Sequence, residues 1–189
     1  MLTLGVDTSS DSGSLALVHD AVVLGQREIS AEQYSASLLR EAAALLAGCR
    51  MSFEEIGLYE VNAGPGSFTG LRVGLTTVKA WAEVWGKPVA AVSGLEAMAK
   101  QVSNLAAPGS LIAAVTDARR GQVFGGLFRS TTEDSGALAQ AGDEVLGTAD
   151  EFLESLRPRM ADGCELVIAC FDPELIRSAI EREAMSGCR

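Results

Sequence analysis

Residues 62–74 are Asn-Ala-Gly-Pro-Gly-Ser-Phe-Thr-Gly-Leu-Arg-Val-Gly, a glycine-rich stretch between an apolar run at 57–62 and a helix-like pattern at 70–85. Such a strand-to-helix loop often binds anions, because its free amides and the positive end of the helix dipole face the loop. Six residues form the candidate glycine loop: Gly64, Pro65, Gly66, Ser67, Thr69 and Gly70. The stretch predicts an α/β arrangement with either a tight strand-to-helix turn or an anion site at this point.

Known phosphate loops differ from this glycine loop. A Walker A loop needs Lys after its last glycine, and Leu71 follows Gly70 here. A dinucleotide fingerprint has two residues between its second and third glycines, whereas three residues separate Gly66 from Gly70. The residues around Ser67 do not form the G-x-S-x-G turn of a hydrolase nucleophile either. These mismatches favour the tight turn over a phosphate site.

Apolar runs alternate with helical periodicity along the whole chain. Strands are predicted at 2–6, 13–18, 22–28, 57–62, 88–92, 111–116, 122–128 and 165–169. Helices are predicted at 31–47 (after a Ser30–Gln33 capping box), 70–85, 93–103, 148–156 and 173–184, with an exposed loop at 130–142. Hairpins followed by alternating helices and strands occur twice, which favours an α/β fold with mixed sheets. The pattern is compatible with a duplicated ribonuclease-H-like unit and predicts two lobes, 1–105 and 106–189.

The chain has 189 residues and a formal net charge of −10. An acidic surface repels phosphate backbones, so we expect no strong nucleic-acid binding by the chain alone. The four cysteines form no C-x-x-C pair and His19 is the single histidine, which argues against a zinc site. The first residues do not resemble a signal peptide, and no long apolar run predicts a transmembrane helix. We therefore expect a cytoplasmic chain with free thiols.

Four stretches together resemble the TsaB (YeaZ) family of tRNA threonylcarbamoyladenosine biosynthesis proteins. They are Leu4–Ser9, Gly64–Gly74, Val92–Ala97 and Asp117–Phe124. They occur in the family's order, and the resemblance weakens after residue 130. Where relatives often have a His-Ser pair near the first helix, this chain has Gln33-Tyr34-Ser35. Relatives usually continue with more helical sequence after 173–184, so we expect an incomplete, truncated or differently closed second lobe.

The resemblance implies an actin-like fold, of the group that includes sugar kinases, and kinship with TsaD and the glycoprotease M22-like proteins. In the family pattern, TsaD transfers the threonylcarbamoyl group to tRNA and binds a metal through two histidines on one helix. A single histidine cannot supply that pair. The resemblance therefore implies a non-catalytic scaffold subunit, an inactive homologue with no catalytic or metal-binding residues of its own.

The same resemblance implies the partners of the chain. These are a TsaD-like catalytic subunit and a TsaE-like ATPase, with tRNA bound only through the complex and a homodimer formed in the absence of the partner. No membrane is implied. The chain alone is expected to bind no cofactor tightly, and ATP or ADP would bind at the junction with the partner.

The first two helices of the family pack against the partner, which implies an interface on helices 31–47 and 70–85. The candidate contact residues are Tyr34, Ser37, Leu38, Glu41, Arg72, Thr76, Lys79 and Ala80. The alternative is that apolar side chains of these helices face the chain's own sheet. Small residues such as Ala36 and Ala43 would allow a second helix to approach closely.

The candidate nucleotide- or cation-binding residues are Asp7, Thr8, Ser9 and Asp117. Both aspartates follow predicted strands and precede turns, and an acidic residue at the place of Asp7 handles magnesium and phosphate in active members of the fold group. The alternative for Asp7 is that it closes an Asx-turn. Asp117, paired with Asp7 across a cleft, could hold a cation. At the tip of the second hairpin, Arg119 and Arg120 would either contact phosphate or remain solvated.

Two enzyme functions are alternatives to the scaffold. An ATP-binding enzyme of the actin-like or sugar-kinase group would bind nucleotide tightly by itself and lose it when Asp7 is changed. A glycoprotease-like peptidase is the remoter alternative, because the sequence has no H-E-x-x-H or H-x-x-x-H metal motif.

Overall fold

The computed structural model describes residues 1–30, 34–131, 137–160 and 164–183. The chain forms two compact units, Met1–Gly94 and Leu95–Arg189, which we call the N-terminal and C-terminal units. Within the described ranges, none of the helices combines the length and the hydropathy needed to cross a membrane.

In its described residues, the N-terminal unit contains one mixed sheet, two α-helices and a short 3-10 helix, Phe53–Glu55. Its strands are β1 (Leu2–Asp7), β2 (Ser12–His19), β3 (Val22–Ser30), β4 (Leu58–Asn62) and β5 (Val89–Val92), and its helices are α1 (Tyr34–Gly48) and α2 (Phe68–Trp85). The strand order is β3-β2-β1-β4-β5. The hairpin strands pair antiparallel, whereas β4 pairs parallel with β1 and with β5, because α1 and α2 form the return crossovers.

The core of the N-terminal unit follows from the two periodicities of its sequence. Along β1, Leu2, Leu4 and Val6 are buried and the residues between them are half-buried, as expected for a strand with one face on the core. The apolar stripes of α1 and α2, which include Leu45 and Val78, pack against that face. The two helices therefore cover the same side of the sheet.

The C-terminal unit repeats this plan after α3 (Gly94–Val102), which begins at the boundary. Its strands are β6 (Leu111–Arg119), β7 (Gln122–Ser130), β8 (Leu138–Gln140), β9 (Val145–Gly147) and β10 (Leu166–Cys170), and its further helices are α4 (Ala149–Met160) and α5 (Glu174–Glu183). The strand order is β10-β6-β7-β8, and β9 also pairs with β7. As in the first unit, the opening strand pairs antiparallel with the next strand and parallel with the strand that follows a helix.

The sheet of the C-terminal unit is covered on both faces. All five residues of Leu111–Val115 are fully buried. The first, third and fifth of these strand residues pack against helices α4 and α5, which contribute Phe152 and Ile176. The second and fourth pack against helix α3, which contributes Leu95 and Met98. This accounts for the continuous apolar run of β6, since a strand buried on both faces does not alternate. The predicted α/β fold with two similar lobes and mixed sheets is confirmed.

Three details differ from the sequence-based expectations. The units divide at Gly94/Leu95 rather than at 105/106, because the apolar face of α3 packs on the second sheet. The predicted loop at 130–142 contains β8, and β9 follows it; both are three-residue strands held by backbone pairing with β7. Helix α4 continues to Met160 rather than ending at 156. Of the Ser30–Gln33 capping box, Gln33 lies outside the described residues.

Candidate functional site

The turn after β1 is closed by its own side chains. The Asp7 carboxylate oxygen Oδ1 accepts hydrogen bonds from the backbone N–H of Ser9 at 2.8 Å and from Asn62 Nδ2 at 3.1 Å. Asn62 Nδ2 also lies 3.0 Å from the Ser9 hydroxyl oxygen. The bond from Asp7 to the second residue after it is an Asx-turn. These contacts favour the structural interpretation of Asp7. The sequence reasoning missed Asn62 as a hydrogen-bond partner of Asp7.

The glycine loop is held by hydrogen bonds inside the N-terminal unit. The Gly64 N–H donates to Asn62 Oδ1 at 2.9 Å, and the Gly64 carbonyl accepts from the Gly94 N–H at 2.8 Å. Gly64 has a φ of +115°, which an L side chain rarely adopts. Ser67 caps α2, with its hydroxyl accepting from the Gly70 N–H at 3.3 Å. Several amides that would face an anion in a phosphate loop are thus already bonded.

The glycine loop also packs backbone to backbone on the β1 turn. The Ser67 N–H donates to the Ser9 carbonyl at 2.6 Å, and the Thr8 hydroxyl donates to the Gly70 carbonyl at 2.8 Å. A Cβ atom on Gly66 would overlap the Ser9 carbonyl, and one on Gly70 would overlap the Thr8 carbonyl. The glycines are needed for this close approach, which supports the tight-turn interpretation of residues 64–70.

Asp117 occupies the corresponding place in the C-terminal unit and has a corresponding role. Its Oδ1 accepts from the Arg119 N–H at 2.7 Å, and its Oδ2 lies 3.4 Å from the Arg119 guanidinium. Arg119 and Arg120 have φ values of +67° and +56° at the hairpin tip. Among the described residues, no group of three or more His, Cys, Asp or Glu side chains could hold a metal ion. Binding of a nucleotide or cation by Asp7 or by Asp117 stays a prediction.

Three of the predicted interface residues on α1 lie in the core instead. Tyr34, Ser37 and Leu38 are buried, so their side chains are not part of the exposed surface of α1. The Tyr34 hydroxyl donates to the Ser10 carbonyl at 2.7 Å. Burial raises the pKa of Tyr34 to about 12, and the negative charges of Asp7 and Asp11 add to the effect.

Glu41, the fourth predicted residue on α1, is half-buried and engaged within the chain. Its carboxylate pairs with Arg27 of β3 at 3.1 Å and with Arg40 at 3.2 Å. The pair with Arg27 joins α1 to the edge of the sheet. A partner would have to compete with both arginines for this carboxylate.

The outward side of α2 holds all four predicted residues. Arg72, Thr76, Lys79 and Ala80 are exposed. Phe68, Arg72, Thr76, Ala80 and Val84 follow one another at intervals of four residues and are all exposed, so they form one ridge, which we call the α2 ridge. Phe68 and Val84 are each 72% exposed, and the Arg72 guanidinium lies 5.0 Å from the centre of the Phe68 ring.

A second ridge runs along α1. Its members are Ser35, Leu39, Ala43 and Ala47, again at intervals of four and all exposed, and we call it the α1 ridge. Leu39 is 58% exposed. The sequence reasoning missed Leu39, Phe68 and Val84, although each lies outside the buried stripe of its helix. The apolar residues left over once that stripe is assigned would have revealed them.

Known structures support the fold. A solved Pseudomonas aeruginosa protein described as similar to the peptidase YeaZ superposes with a TM-score of 0.74 at 25% identity, over 88% of this chain and 74% of that chain. The ROK hexokinase of Thermus thermophilus superposes with a TM-score of 0.52 at 13% identity, over 100% of this chain and 91% of that chain, a likeness of fold alone. The chain therefore has the actin-like fold found in sugar kinases.

Sequence comparisons agree with these structures. Residues 22–161 match the family model of TsaD, tRNA N6-adenosine threonylcarbamoyltransferase. The tRNA threonylcarbamoyladenosine biosynthesis protein TsaB of Bacillus subtilis is 31% identical over 160 residues, which cover 84% of this chain and 67% of that protein. The motif at Leu4–Ser9 lies at the end of β1, and the motif at Gly64–Gly74 contains the glycine loop. The motif at Asp117–Phe124 contains the hairpin tip between β6 and β7. The chain belongs to the TsaB (YeaZ) family.

Proposed function

We propose that this chain is a non-catalytic subunit in the biosynthesis of tRNA threonylcarbamoyladenosine, and that it binds a TsaD-like catalytic subunit through the α1 and α2 ridges. The name of its Bacillus subtilis relative and the match to the TsaD family model support the pathway and the partner. The proposed surface rests on two exposed ridges, each with members spaced four residues apart, on two helices that pack on one sheet face.

The ridges have the chemistry of a helix-packing surface. Rows of residues at intervals of four are the ridges that fit between the ridges of another helix. Alanines at Ala43, Ala47 and Ala80 let a second helix come close, and Leu39, Phe68 and Val84 supply apolar area beside them. Burying each of these three larger side chains would contribute about 1 to 2 kcal/mol to binding.

Charge indicates what the partner presents opposite α2. Arg72 and Lys79 are exposed on the outward side of a chain whose net charge is −10. The Arg72 guanidinium lies 5.0 Å from the centre of the Phe68 ring. We propose that carboxylates of the partner pair with them at the rim of the helix-packing surface.

The polar residues of the β1 turn support the non-catalytic part of the proposal. Asp7 and the amides of Gly64, Ser67 and Gly70 bond to neighbours within the N-terminal unit. His19, the single histidine, lies exposed at a hairpin tip, 3.3 Å from Asp20. In this proposal, a TsaE-like ATPase and tRNA bind only to the complex of this chain with the TsaD-like subunit. Any ATP or ADP binds at the junction between these two proteins. In the absence of the partner, two copies of this chain form a homodimer through the ridges.

The test is reconstitution with a matched pair of variants. The purified chain is mixed with TsaD-like and TsaE-like proteins, followed by light-scattering chromatography and a tRNA threonylcarbamoylation assay. Val84→Glu places a charge on the α2 ridge, whereas Val22→Glu does the same on β3, where the side chain is similarly exposed at 62%. We expect Val84→Glu to weaken the complex by about tenfold or more, or about 1.4 kcal/mol, and Val22→Glu to leave it unchanged.

The enzyme alternative has a distinct outcome in the same experiment. ATP hydrolysis by the chain alone that is lost in Asp7→Asn, with no complex formed by the wild type, would overturn the scaffold proposal. Asn is chosen because its side-chain oxygen can still accept the Ser9 N–H, so that the turn is retained while the charge is removed.

A further inference from the structure

We infer that the β1 turn, Asp7–Ser10, fixes the starts of α1 and α2 relative to each other and so preorganises the two ridges for the partner. This inference rests on the proposed function, because the two ridges are preorganised for a partner only if the chain binds one. Thr8, Ser9 and Tyr34 are then positioning residues, which act on the partner through the helices and not by contact.

The turn holds the start of α1 through Tyr34, the first described residue of that helix. The tyrosine ring is buried and its hydroxyl donates to the Ser10 carbonyl at 2.7 Å. The ring lies against β2 where Gly13 leaves space, since a Cβ atom on Gly13 would come within 2.5 Å of the Tyr34 hydroxyl. Movement of the first turn of α1 away from the sheet would break this bond and open that space.

The same turn holds the start of α2 through two other residues. The Thr8 hydroxyl donates to the Gly70 carbonyl at 2.8 Å, and the Ser9 carbonyl accepts from the Ser67 N–H at 2.6 Å. Gly74, one turn further along α2, lacks a Cβ atom where the Thr8 hydroxyl lies. Three consecutive residues of one turn therefore bind both helices, and a shift of one helix start is transmitted to the other through about two peptide units.

The turn is itself fixed to the sheet. Asp7 Oδ1 bonds the Ser9 N–H and Asn62 of β4, so the turn joins the carboxyl ends of two parallel strands. Thr8 is 0% exposed and Tyr34 is 4% exposed, so neither side chain can touch a bound protein. An effect of either side chain on partner affinity would have to come from the position of the ridges, because ordering the surface before binding reduces the entropy lost on association.

A hydrogen-exchange experiment without any partner tests the coupling. Tyr34→Phe removes the hydroxyl that donates to the Ser10 carbonyl of the turn. We expect the amides of Ser67, the N-cap of α2, and of Gly70 to exchange about tenfold faster. The matched control is Ile56→Val, a buried change of similar cost outside the turn. If Tyr34→Phe accelerates α1 alone, or accelerates all amides to the same extent as Ile56→Val, the inference is overturned.

A binding experiment tests the purpose of the coupling. Thr8→Val keeps the shape of the side chain but removes its hydroxyl, whereas Thr8→Ser keeps the hydroxyl. We expect Thr8→Val to bind the TsaD-like subunit about five- to tenfold more weakly, because a smaller fraction of molecules holds the ridges in place, and Thr8→Ser to bind within about twofold of the wild type.

The outcomes separate this inference from the proposed function. Wild-type affinity in Thr8→Val would overturn the positioning role while leaving the scaffold proposal intact. Absence of any wild-type complex would overturn the proposed function, and the exchange experiment would still decide whether the turn couples the helices. Affinity loss in Thr8→Val that matches an equal loss in Ile56→Val would also overturn the inference, since it would reflect general destabilisation.

Discussion

Tyr59→Phe is expected to stabilise the N-terminal unit although it removes an atom from a well-packed core. Tyr59 is 0% exposed on β4, its ring centre lies 6.0 Å from that of Trp81, and its hydroxyl has no hydrogen-bond partner within the part of the chain that the structure describes. Leaving a buried hydroxyl unbonded costs about 1 to 3 kcal/mol. The void left by one oxygen costs less than about 1 kcal/mol, so the net gain in the free energy of unfolding is about 1 kcal/mol.

Tyr34→Phe is the matched control, because it makes the same chemical change at a tyrosine that is bonded. Its hydroxyl donates to the Ser10 carbonyl at 2.7 Å, and losing that bond should lower the free energy of unfolding by about 1 kcal/mol. Both variants keep the aromatic ring and its packing. The two substitutions should therefore shift stability in opposite directions.

Urea unfolding followed by tryptophan fluorescence measures both variants. The chain has two tryptophans, Trp81 and Trp85, and both lie in α2, so their emission reports on the N-terminal unit. The transition midpoint should rise in Tyr59→Phe and fall in Tyr34→Phe at an unchanged slope. A midpoint that falls equally in both variants would show that the Tyr59 hydroxyl is bonded, and the reasoning from its unsatisfied state would be refuted.

Further predictions concern pH, glycine packing and capping. Burial raises the pKa of Tyr34 and of Tyr59 from 10.0 to about 12. Their contribution to the free energy of unfolding should therefore be complete below pH 10 and be lost as the pH rises to about 12. Urea midpoints measured over that pH range will test this. Gly70→Ala should lower the free energy of unfolding by about 2 kcal/mol or more, because the new Cβ would overlap the Thr8 carbonyl. The control Gly48→Ala has open space around its Cβ and should be neutral or stabilising by about 0.5 kcal/mol. Thermal melts measure both variants. Hydrogen bonds with Thr148 lower the pKa of Glu151. Its contribution to the free energy of unfolding should therefore be present above pH 4.5 and be lost as the pH falls through the lowered pKa. Glu151→Gln should make the stability, followed by circular dichroism, depend less steeply on pH in the acid range.

The elements with a strong local pattern could be predicted from the sequence. The alternation along β1 and the glycine-rich stretch after β4 each specify a conformation with few alternatives, and the structure has a strand and a tight helix entry there. The strands β8 and β9 could not be found in this way. Each has three residues, and each is held by pairing with β7, a partner that a local pattern does not reveal.

The candidate partner surface shows a second limit of sequence reasoning. The buried stripe of α1 includes Tyr34 and Ser37, two residue types that are often exposed. Tyr34 is accommodated because the Ser10 carbonyl accepts its hydroxyl and Gly13 leaves room for its ring. These conditions come from a turn and a strand more than 20 residues away in the chain. The helical period alone could not indicate which polar residues join the core.

The two sheets also differ in how much sequence drift they can tolerate. In β1, the intervening positions Thr3 and Gly5 are half-buried, so these positions on one face of the strand can exchange residue types at modest cost, whereas Asp7 is held by its bonds to Ser9 and Asn62. In β6, each residue of Leu111–Val115 is enclosed by helices, and no position offers such freedom. Among relatives of this chain, neutral substitutions should therefore accumulate on alternate positions of the first strand, while the sixth strand should vary only among apolar side chains of matched volume.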